Sequence, residues 1–256
     1  MHHEFTALVL GKYEGAYCYC KACGFLCAHK PYWLAESYSD AITATDTGLV
    51  SRNVAAASKI ATLLYFLLHE RGDGRYLDIA GGYGLLTRLM RDYGFDFYWA
   101  DKYCQNLMAR GFDYHQDTGG CRAVTAIEVL EHSDDPLHFV SEALAYGQTD
   151  TLIFSTVLFK GSPPQPDRWW YYSFETGQHI SFFQQRTLET IAGDLGLHFV
   201  GNGLLHIFSK TKINSLLFCA CTGLMAEFIY PFTRKLLGSR AMVDHEKLVQ
   251  SMLKQV

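Results

Sequence analysis

The seven residues Asp78-Ile79-Ala80-Gly81-Gly82-Tyr83-Gly84 are the stretch of this chain best suited to chemistry. An acid followed by small residues stands between a strand-like run, Arg75-Tyr76-Leu77, and an amphipathic one, Leu85 to Met90. A turn poor in Cβ atoms lets a ligand touch backbone, and the start of the next helix offers free N–H groups. Beyond it, Asp101 closes a second strand-like run, Phe95 to Ala100. An acid at that tip is placed to accept hydrogen bonds from ribose hydroxyls. A nucleoside-containing cofactor is the first expectation.

Spacing separates the cofactor classes. The dinucleotide fingerprint G-x-G-x-x-G/A needs a small last residue so that helix and strand pack closely. Read from Gly82, the chain supplies Gly84 and then Thr87; read from Gly81, it puts Tyr83 in the second glycine slot. Both readings fail. Asp78, Gly82 and Gly84 stand instead where D/E-x-G-x-G-x-G has its acid and last two glycines, with Ala80 in the place of the first. The segment resembles motif I of the class I S-adenosylmethionine (SAM) methyltransferases. That resemblance implies that Asp78, Ala80, Gly81, Gly82 and Gly84 line a SAM site, the last two glycines approaching the methionine part. Asp101 would take the ribose, with Lys102 beside it in the same binding set. The alternative is a glycine-rich turn that holds no ligand.

A second constellation is Ala126-Ile127-Glu128-Val129-Leu130-Glu131-His132-Ser133-Asp134-Asp135-Pro136. It resembles the E-x-L-E-H-x-x-D-P stretch of many class I enzymes, the ubiquinone-biosynthesis O-methyltransferases among them, and by that likeness Glu128 lies beside the sulfonium. Residues at i, i+3 and i+4 share a face if the turn is helical, so Glu128, Glu131 and His132 can act together. They suit a divalent ion, as the quinone enzymes imply, or a general base, because histidine titrates in a useful range. Hydrogen bonds that merely fix the turn are the structural alternative. Further on, Phe159 to Tyr172 carries three prolines, a glycine and a dense aromatic run, which reads as the wall of a small-molecule pocket. Glu175 to Phe183 resembles the H-x-S-F-F segment of small-molecule methyltransferases, making His179 the leading catalytic candidate, ahead of His132. A histidine that only holds its loop is the alternative.

These residues need a scaffold. Arg75–Leu77, Phe95–Ala100, Phe112–His115, Arg122–Ile127 and Thr151–Val157 read as strands, and Leu85–Met90, Asp134–Tyr146 and Arg186–Leu195 as helices. Leu197–Val200 and Leu204–Phe208 read as a closing antiparallel pair about Gly201-Asn202-Gly203. The alternation predicts an α/β fold, a doubly wound, mostly parallel sheet with helices on both faces. The resemblance sharpens this to a seven-stranded Rossmann-like sheet with a reversed last strand, a helical cap and C-terminal helices. Ligands in such sheets bind beyond the carboxyl ends of the strands. Val54–His69 reads as a helix on the sheet, and Tyr38, Arg52 and Asn53 before it are further contact candidates. The expected division is 1–52 for a zinc-ribbon-like leader and cap, 53–210 for the methyltransferase domain and 211–256 for a helical tail.

Four of the eight cysteines crowd the leader: Cys18, Cys20, Cys23 and Cys27. Cys20-x-x-Cys23-Gly has the form of a zinc knuckle, and it resembles half of the zinc ribbon that precedes related methyltransferases. No second C-x-x-C stands upstream, so zinc at Cys20 and Cys23 needs Cys18, Cys27 or His29 as well. The alternative is a set of reduced cysteines in a degenerate ribbon. Hydrophobic residues are 49% and charged ones 19%, enough for a sizeable core, and the net charge of -4 gives no reason to expect a nucleic-acid partner. No signal-peptide pattern opens the chain, so a cytoplasmic enzyme is expected. Its partner would be a small-molecule methyl acceptor, such as a sugar, glycan precursor or quinone-like metabolite, methylated on oxygen or carbon. The apolar run Leu216–Met225 falls short of the ~20 residues of a membrane span. It reads as a core helix or homodimer contact, with no firm membrane association expected, although Arg234, Lys235 and Arg240 follow it. Asp244–Val256 reads as a polar surface helix. Two rivals stand beside the methyltransferase reading. One is a noncatalytic SAM-binding protein, which Ala80 would suit. The other is an NAD-dependent oxidoreductase, against which Thr87 argues.

Overall fold

The computed structural model describes residues 1–39, 42–70 and 74–254. Its elements run β1 (His2–Val9), β2 (Tyr13–Tyr19), β3 (Leu26–Ala28), α1 (Leu34–Ser37), α2 (Leu49–Thr62), β4 (Arg75–Ile79), α3 (Leu85–Asp92), β5 (Asp96–Ala100) and β6 (Ala123–Ile127). They continue as α4 (Pro136–Gly147), β7 (Thr151–Ser155), β8 (Ser181–Phe182), α5 (Gln185–Asp194), β9 (His198–Gly201), β10 (Leu205–Ser209), α6 (Ser215–Thr222), α7 (Met225–Leu237) and α8 (Ala241–Leu253).

The main sheet has the order β5-β4-β6-β7-β10-β9. The first four strands are parallel, while β10 runs antiparallel to both β7 and β9. This is the doubly wound, mostly parallel sheet that the alternation predicts, with the reversed closing strand that the resemblance implies. Side chains alternate between faces with period two. Tyr76 enters a core with Ile60, Leu64, Phe97, Ile207 and Phe218, and its neighbour Leu77 enters another with Val124, Phe154, Leu188 and Phe208. Helices α2, α3, α6 and α7 cover the first face, and α4 and α5 the second.

Six strands are described rather than seven. Phe112–His115 contributes a single parallel bridge, Asp113 to Trp99, flanked by the bonds Trp99 N–H to Phe112 O and Tyr114 N–H to Trp99 O, both 2.8 Å. Phe112 lies under the Arg91 guanidinium, 3.6 Å from ring centroid to carbon, so this segment is fixed by packing more than by a ladder. Other boundaries shift by a few residues. Helix α2 begins earlier than Val54 and passes into a π turn over Leu63–Leu67. Helix α4 starts at Pro136 because the Asp135 carboxylate accepts the His138 N–H at 3.0 Å. The expected final helix is α8, but Asp244 on it is buried, not surface polar. Its carboxylate takes Arg91 at 2.6 Å, and Arg91 also holds Asp96 at 2.6 Å, tying α8 to α3 and β5. Gln255, Val256 and Asp40 lie outside the described residues.

The leader forms its own sheet, order β1-β2-β3-β8, with all pairs antiparallel. Its last strand, Ser181–Phe182, comes from the segment just after His179, so the leader and the H-x-S-F-F segment share one sheet. A third core joins Tyr17, Leu26, Trp33, Tyr171, Tyr172 and Phe182. The aromatic run expected to wall a pocket is therefore mostly core: Tyr171 and Tyr172 are buried, and Trp170 alone is largely exposed. Packed between the leader sheet and this segment, the large rings fill a core of their own.

Candidate functional site

The motif I turn has the backbone its sequence demands. Ala80 (φ +53°), Gly82 (φ +55°) and Gly84 (φ +84°) are all left-handed. Gly84 caps α3 and Gly82 exposes backbone, whereas Ala80 holds that conformation with a Cβ, at a cost of about 1–2 kcal/mol. A Cβ on Gly81 would lie 2.7 Å from Asp78 Oδ2 and 2.9 Å from Trp99 Cδ1, so this glycine is required for packing. Trp99 closes the turn from β5, donating Nε1–H to Gly82 O at 2.9 Å.

Asp101 sits at the carboxyl end of β5 and reaches across to the same turn. Its Oδ2 accepts the Gly82 N–H at 2.9 Å, while Oδ1 accepts the N–H groups of Tyr103 (2.6 Å) and Cys104 (2.8 Å). Three donors occupy a carboxylate that offers about four acceptor positions. The acid is thus aimed and retains capacity on Oδ2. Lys102 beside it is exposed.

Asp78 plays a different part. It is buried, and its carboxylate accepts Thr125 Oγ1–H at 2.8 Å and Thr87 Oγ1–H at 3.3 Å. Thr87, the residue that breaks the dinucleotide fingerprint, is thus used to hold the motif's own acid. Burial, with a smaller push from Asp101, raises Asp78 to about 7.

Two loops meet opposite this turn. Ile180 N–H bonds Glu131 O at 2.8 Å and Ser181 Oγ–H bonds Ser133 O at 2.6 Å, zipping the E-H-S stretch to the H-I-S stretch. The pairing brings the rings of His132 and His179 to 4.9 Å, edge to face. Tyr38 Oη lies 3.0 Å from His132 Nδ1. It is delivered there by α1, which is docked through Trp33 Nε1–H to Gly177 O (2.9 Å) and Gln178 Nε2–H to Ser37 O (2.8 Å). Of the candidates Tyr38, Arg52 and Asn53, the last two fall in the first turns of α2, and Tyr38 is the one hydrogen-bonded to a histidine. Arg52 pairs with Asp46 at 2.7 Å and Asn53 Nδ2–H bonds Leu49 O at 2.8 Å.

The protonation states follow from the partners. His179 Nδ1 lies 2.7 Å from the Tyr171 carbonyl, which can only accept, so Nδ1 carries the proton and Nε2 a lone pair. Desolvation pushes His179 down. His132 is pushed to about 3, first by desolvation and then by His179, and is neutral at ordinary pH. A ring held so low is a poor proton acceptor near pH 7. Glu128 ends β6 in the left-handed region (φ +57°), its carboxylate accepting the Ser155 hydroxyl. Glu131 is fully buried beside the Tyr171 and Thr156 hydroxyls, neither of which meets it in full hydrogen-bond geometry. Burial, then Glu128, drives its pKa well up. The E-x-x-E-H spacing groups Glu131 with Glu128 and His132 for a metal or a base; the structure sets it beside His132 and His179 instead.

Glu131, His132 and His179 each present a ligand atom within 4.8 Å of the others, and among the described residues this is the one such group. One carboxylate with two neutral imidazoles is a donor set for a borderline divalent ion or for moving a proton. The cysteines do not make a comparable set. Backbone N–H groups of Cys23 and Ala22 lower Cys20, as a knuckle should. Cys18 and Cys27 face each other across β2 and β3, and burial pushes Cys27 to about 11. Among the described residues no third ligand atom joins Cys20 and Cys23. The knuckle is instead seated on the start of α5, where Thr187 Oγ1–H bonds Cys23 O at 2.9 Å and Arg186 bonds Lys21 O at 2.9 Å.

With this geometry in place, likeness to known proteins decides the class. Residues 52–201, more than half the chain, match the family described as "Methyltransferase domain". The chain belongs to that methyltransferase family. No curated protein matches it. Among solved structures, TnmH is 16% identical, with 71% of this chain and 62% of TnmH covered and a TM-score of 0.48. The magnesium protoporphyrin IX methyltransferase ChlM from Synechocystis PCC 6803, with bound SAM, is 14% identical, covering 71% of this chain and 90% of ChlM at a TM-score of 0.45. A possible histamine N-methyltransferase from Thermotoga maritima is 12% identical, covering 71% and 98% at a TM-score of 0.45. The present methyltransferase thus spans under two thirds of TnmH and nearly all of the other two.

Proposed function

We propose that this methyltransferase takes its methyl group from SAM, held at the motif I turn, and transfers it to oxygen or carbon of a small molecule. The observation that carries the reading is Asp101. Its carboxylate is fixed at the carboxyl end of β5 against the N–H of Gly82, joining the ribose-seeking acid to the turn that would meet the methionine part. The residues present fit the donor. Gly82 and Gly84 hold the turn in left-handed conformations, Gly82 stays partly exposed, and Oδ2 of Asp101 can still accept. Asp78, Ala80, Gly81 and Lys102 complete the set around the turn, and Glu128 faces it from β6.

When bound, SAM supplies an electrophilic methyl on a sulfonium. The chain's own contribution is alignment, which can lower a bimolecular barrier by about 7–11 kcal/mol, and proton management. His179 is assigned to acceptor binding and proton removal because Nε2 is its free lone pair. His132, held neutral, orients the acceptor through its ring and Tyr38. Glu131 is positioned as a protonated neighbour of both. The same reading divides the chain into a leader and cap (1–52), a methyltransferase unit (53–210) and a helical tail (211–256). The family match over 52–201 supports the middle unit.

Calorimetry with SAM, S-adenosylhomocysteine and NAD on the purified protein tests the donor. Micromolar binding of the first two and none of NAD is expected. Tighter binding of NAD would turn the reading toward an oxidoreductase. Binding without transfer to any sugar, phenol or quinol offered would favour the noncatalytic alternative.

A further inference from the structure

Helices α6 and α7 leave an apolar face without a partner. On α7, Ala226 and Thr233 are buried and Tyr230 and Leu237 pack on the core. A second side of the helix carries Met225, Phe228, Phe232 and Leu236, spaced three, four and four residues apart. All four are more than half exposed, Phe228 by 72%. Such spacing makes one continuous stripe along a helix. Leu216 and Leu217 on α6 extend it, as does Leu224 at the bend, exposed by 81%. Seven large apolar side chains exposed together are far outside the scattered exposure that a folded surface tolerates.

The charge around the stripe is equally one-sided. Residues 210–240 carry Lys210, Lys212, Arg234, Lys235 and Arg240 against Glu227, a net +4; the whole chain is -4, so the remainder is -8. Lys210 pairs with Asp150 and Arg240 with Asp96. Lys212, Arg234 and Lys235 have no ion pair among the described residues.

We propose that this face docks on an anionic lipid surface, with α6 and α7 lying in the interface rather than crossing it. No single helix is long and apolar enough to cross a membrane, and α6 and α7 are bent by 80° where they meet. Shallow burial of the stripe suits that bend, since an interfacial helix sinks only ~5–10 Å. Hydrocarbon receives Phe228 and Phe232 while headgroup phosphates receive the cations. A second copy of the chain satisfies the rings but not the charges, because a two-fold contact sets the same net-positive patch against itself. The bend is pinned to the β9–β10 hairpin by Asn202 Nδ2–H to Thr222 Oγ1 at 2.8 Å. That hairpin follows the carboxyl end of β9, the same end of the sheet as Gly82 and Glu128. Docking therefore holds the candidate site close to the lipid surface, whichever donor it uses.

The test is cosedimentation of the full-length protein with vesicles of phosphatidylcholine alone and of phosphatidylcholine mixed with phosphatidylglycerol. Binding to the mixed vesicles is expected, weaker on the neutral ones and weaker in high salt. Phe228→Glu with Phe232→Glu should lower partitioning at least about tenfold. Lys212→Gln and Lys235→Gln should lower it about fivefold each on anionic vesicles, with little effect on neutral ones. All four positions lie on the exposed surface, and unchanged thermal unfolding checks the fold. No binding to either vesicle overturns the proposal, as does binding indifferent to these substitutions. A dimer in sedimentation velocity that the phenylalanine substitutions dissolve, without vesicle binding, assigns the face to a second copy instead.

Discussion

Asp78→Asn tests the physics of the motif I turn more sharply than a loss of activity would. The carboxyl is buried and its pKa is raised to about 7, against about 3.9 in an unfolded chain. Between those values the folded state binds more protons than the unfolded one, so this group makes stability fall as pH rises from about 4 to about 7. Below that window it contributes nothing; above it the full cost of a buried charge is present. About three units at 1.36 kcal/mol each give on the order of 4 kcal/mol. Asparagine keeps an acceptor for Thr125 and Thr87 but cannot ionise. Urea unfolding of both proteins from pH 4 to 8 should show the variant gaining on the wild type, the gap widening by roughly that amount and levelling above pH 7. The difference between the curves removes the opposite trend from His132 and His179, whose lowered values make stability rise with pH near the histidine range. A gap that stays constant with pH would refute the burial argument.

Other outcomes follow from the same contacts. SAM binding near pH 6.5 should release a proton, because a cationic donor favours ionised Asp78, and calorimetry in buffers of different ionisation enthalpy reads the number. His179→Ala should leave SAM affinity within about twofold while cutting turnover about 10²–10⁴-fold; a collapse of affinity would place the histidine elsewhere. Ala80→Gly removes a left-handed Cβ worth about 1–2 kcal/mol against an unfolded-state cost of about 0.4–1 kcal/mol. It should be neutral to mildly stabilising in urea, whereas Ala80→Val should be clearly destabilising. Arg91→Met leaves Asp244 to Arg88 alone and Asp96 to Arg240 alone and should lower unfolding free energy by about 3 kcal/mol, the low end for a broken buried pair, detaching α8 as judged by faster amide exchange over 241–253.

The sequence carried the parallel half of the sheet well, for a physical reason. Strands β4, β5, β6 and β7 are short apolar runs, and the first three carry a motif residue at or just past their carboxyl ends, so pattern and motif reinforced each other at Asp78, Asp101 and Glu128. The leader was opaque. In His2–Tyr19 aromatic and apolar residues fall on both faces, because Phe5, Tyr17 and Tyr172 stack in a core while Leu8 stays exposed, and the alternation that marks a hairpin is blurred. The pairing of Cys27 with Ser181 is wholly non-local. Nothing in either segment announces it, and so the aromatic run at 169–172 read as a pocket wall when it is mainly core. The cysteine knuckle showed its turn but not its use, which depends on Arg186 and Thr187, more than 160 residues away. In the site itself, residue types were legible and states were not. That Glu131 is held protonated and His132 neutral are consequences of burial, which no spacing displays.

The most direct measurement is a crystal structure with S-adenosylhomocysteine. The ribose hydroxyls should lie within hydrogen-bond distance of the Asp101 carboxylate, with the homocysteine part against Gly82 and Gly84 and the sulfur facing His179. Density for the nucleoside at any other edge of the sheet, or contacts that bypass Asp101 altogether, would contradict the account.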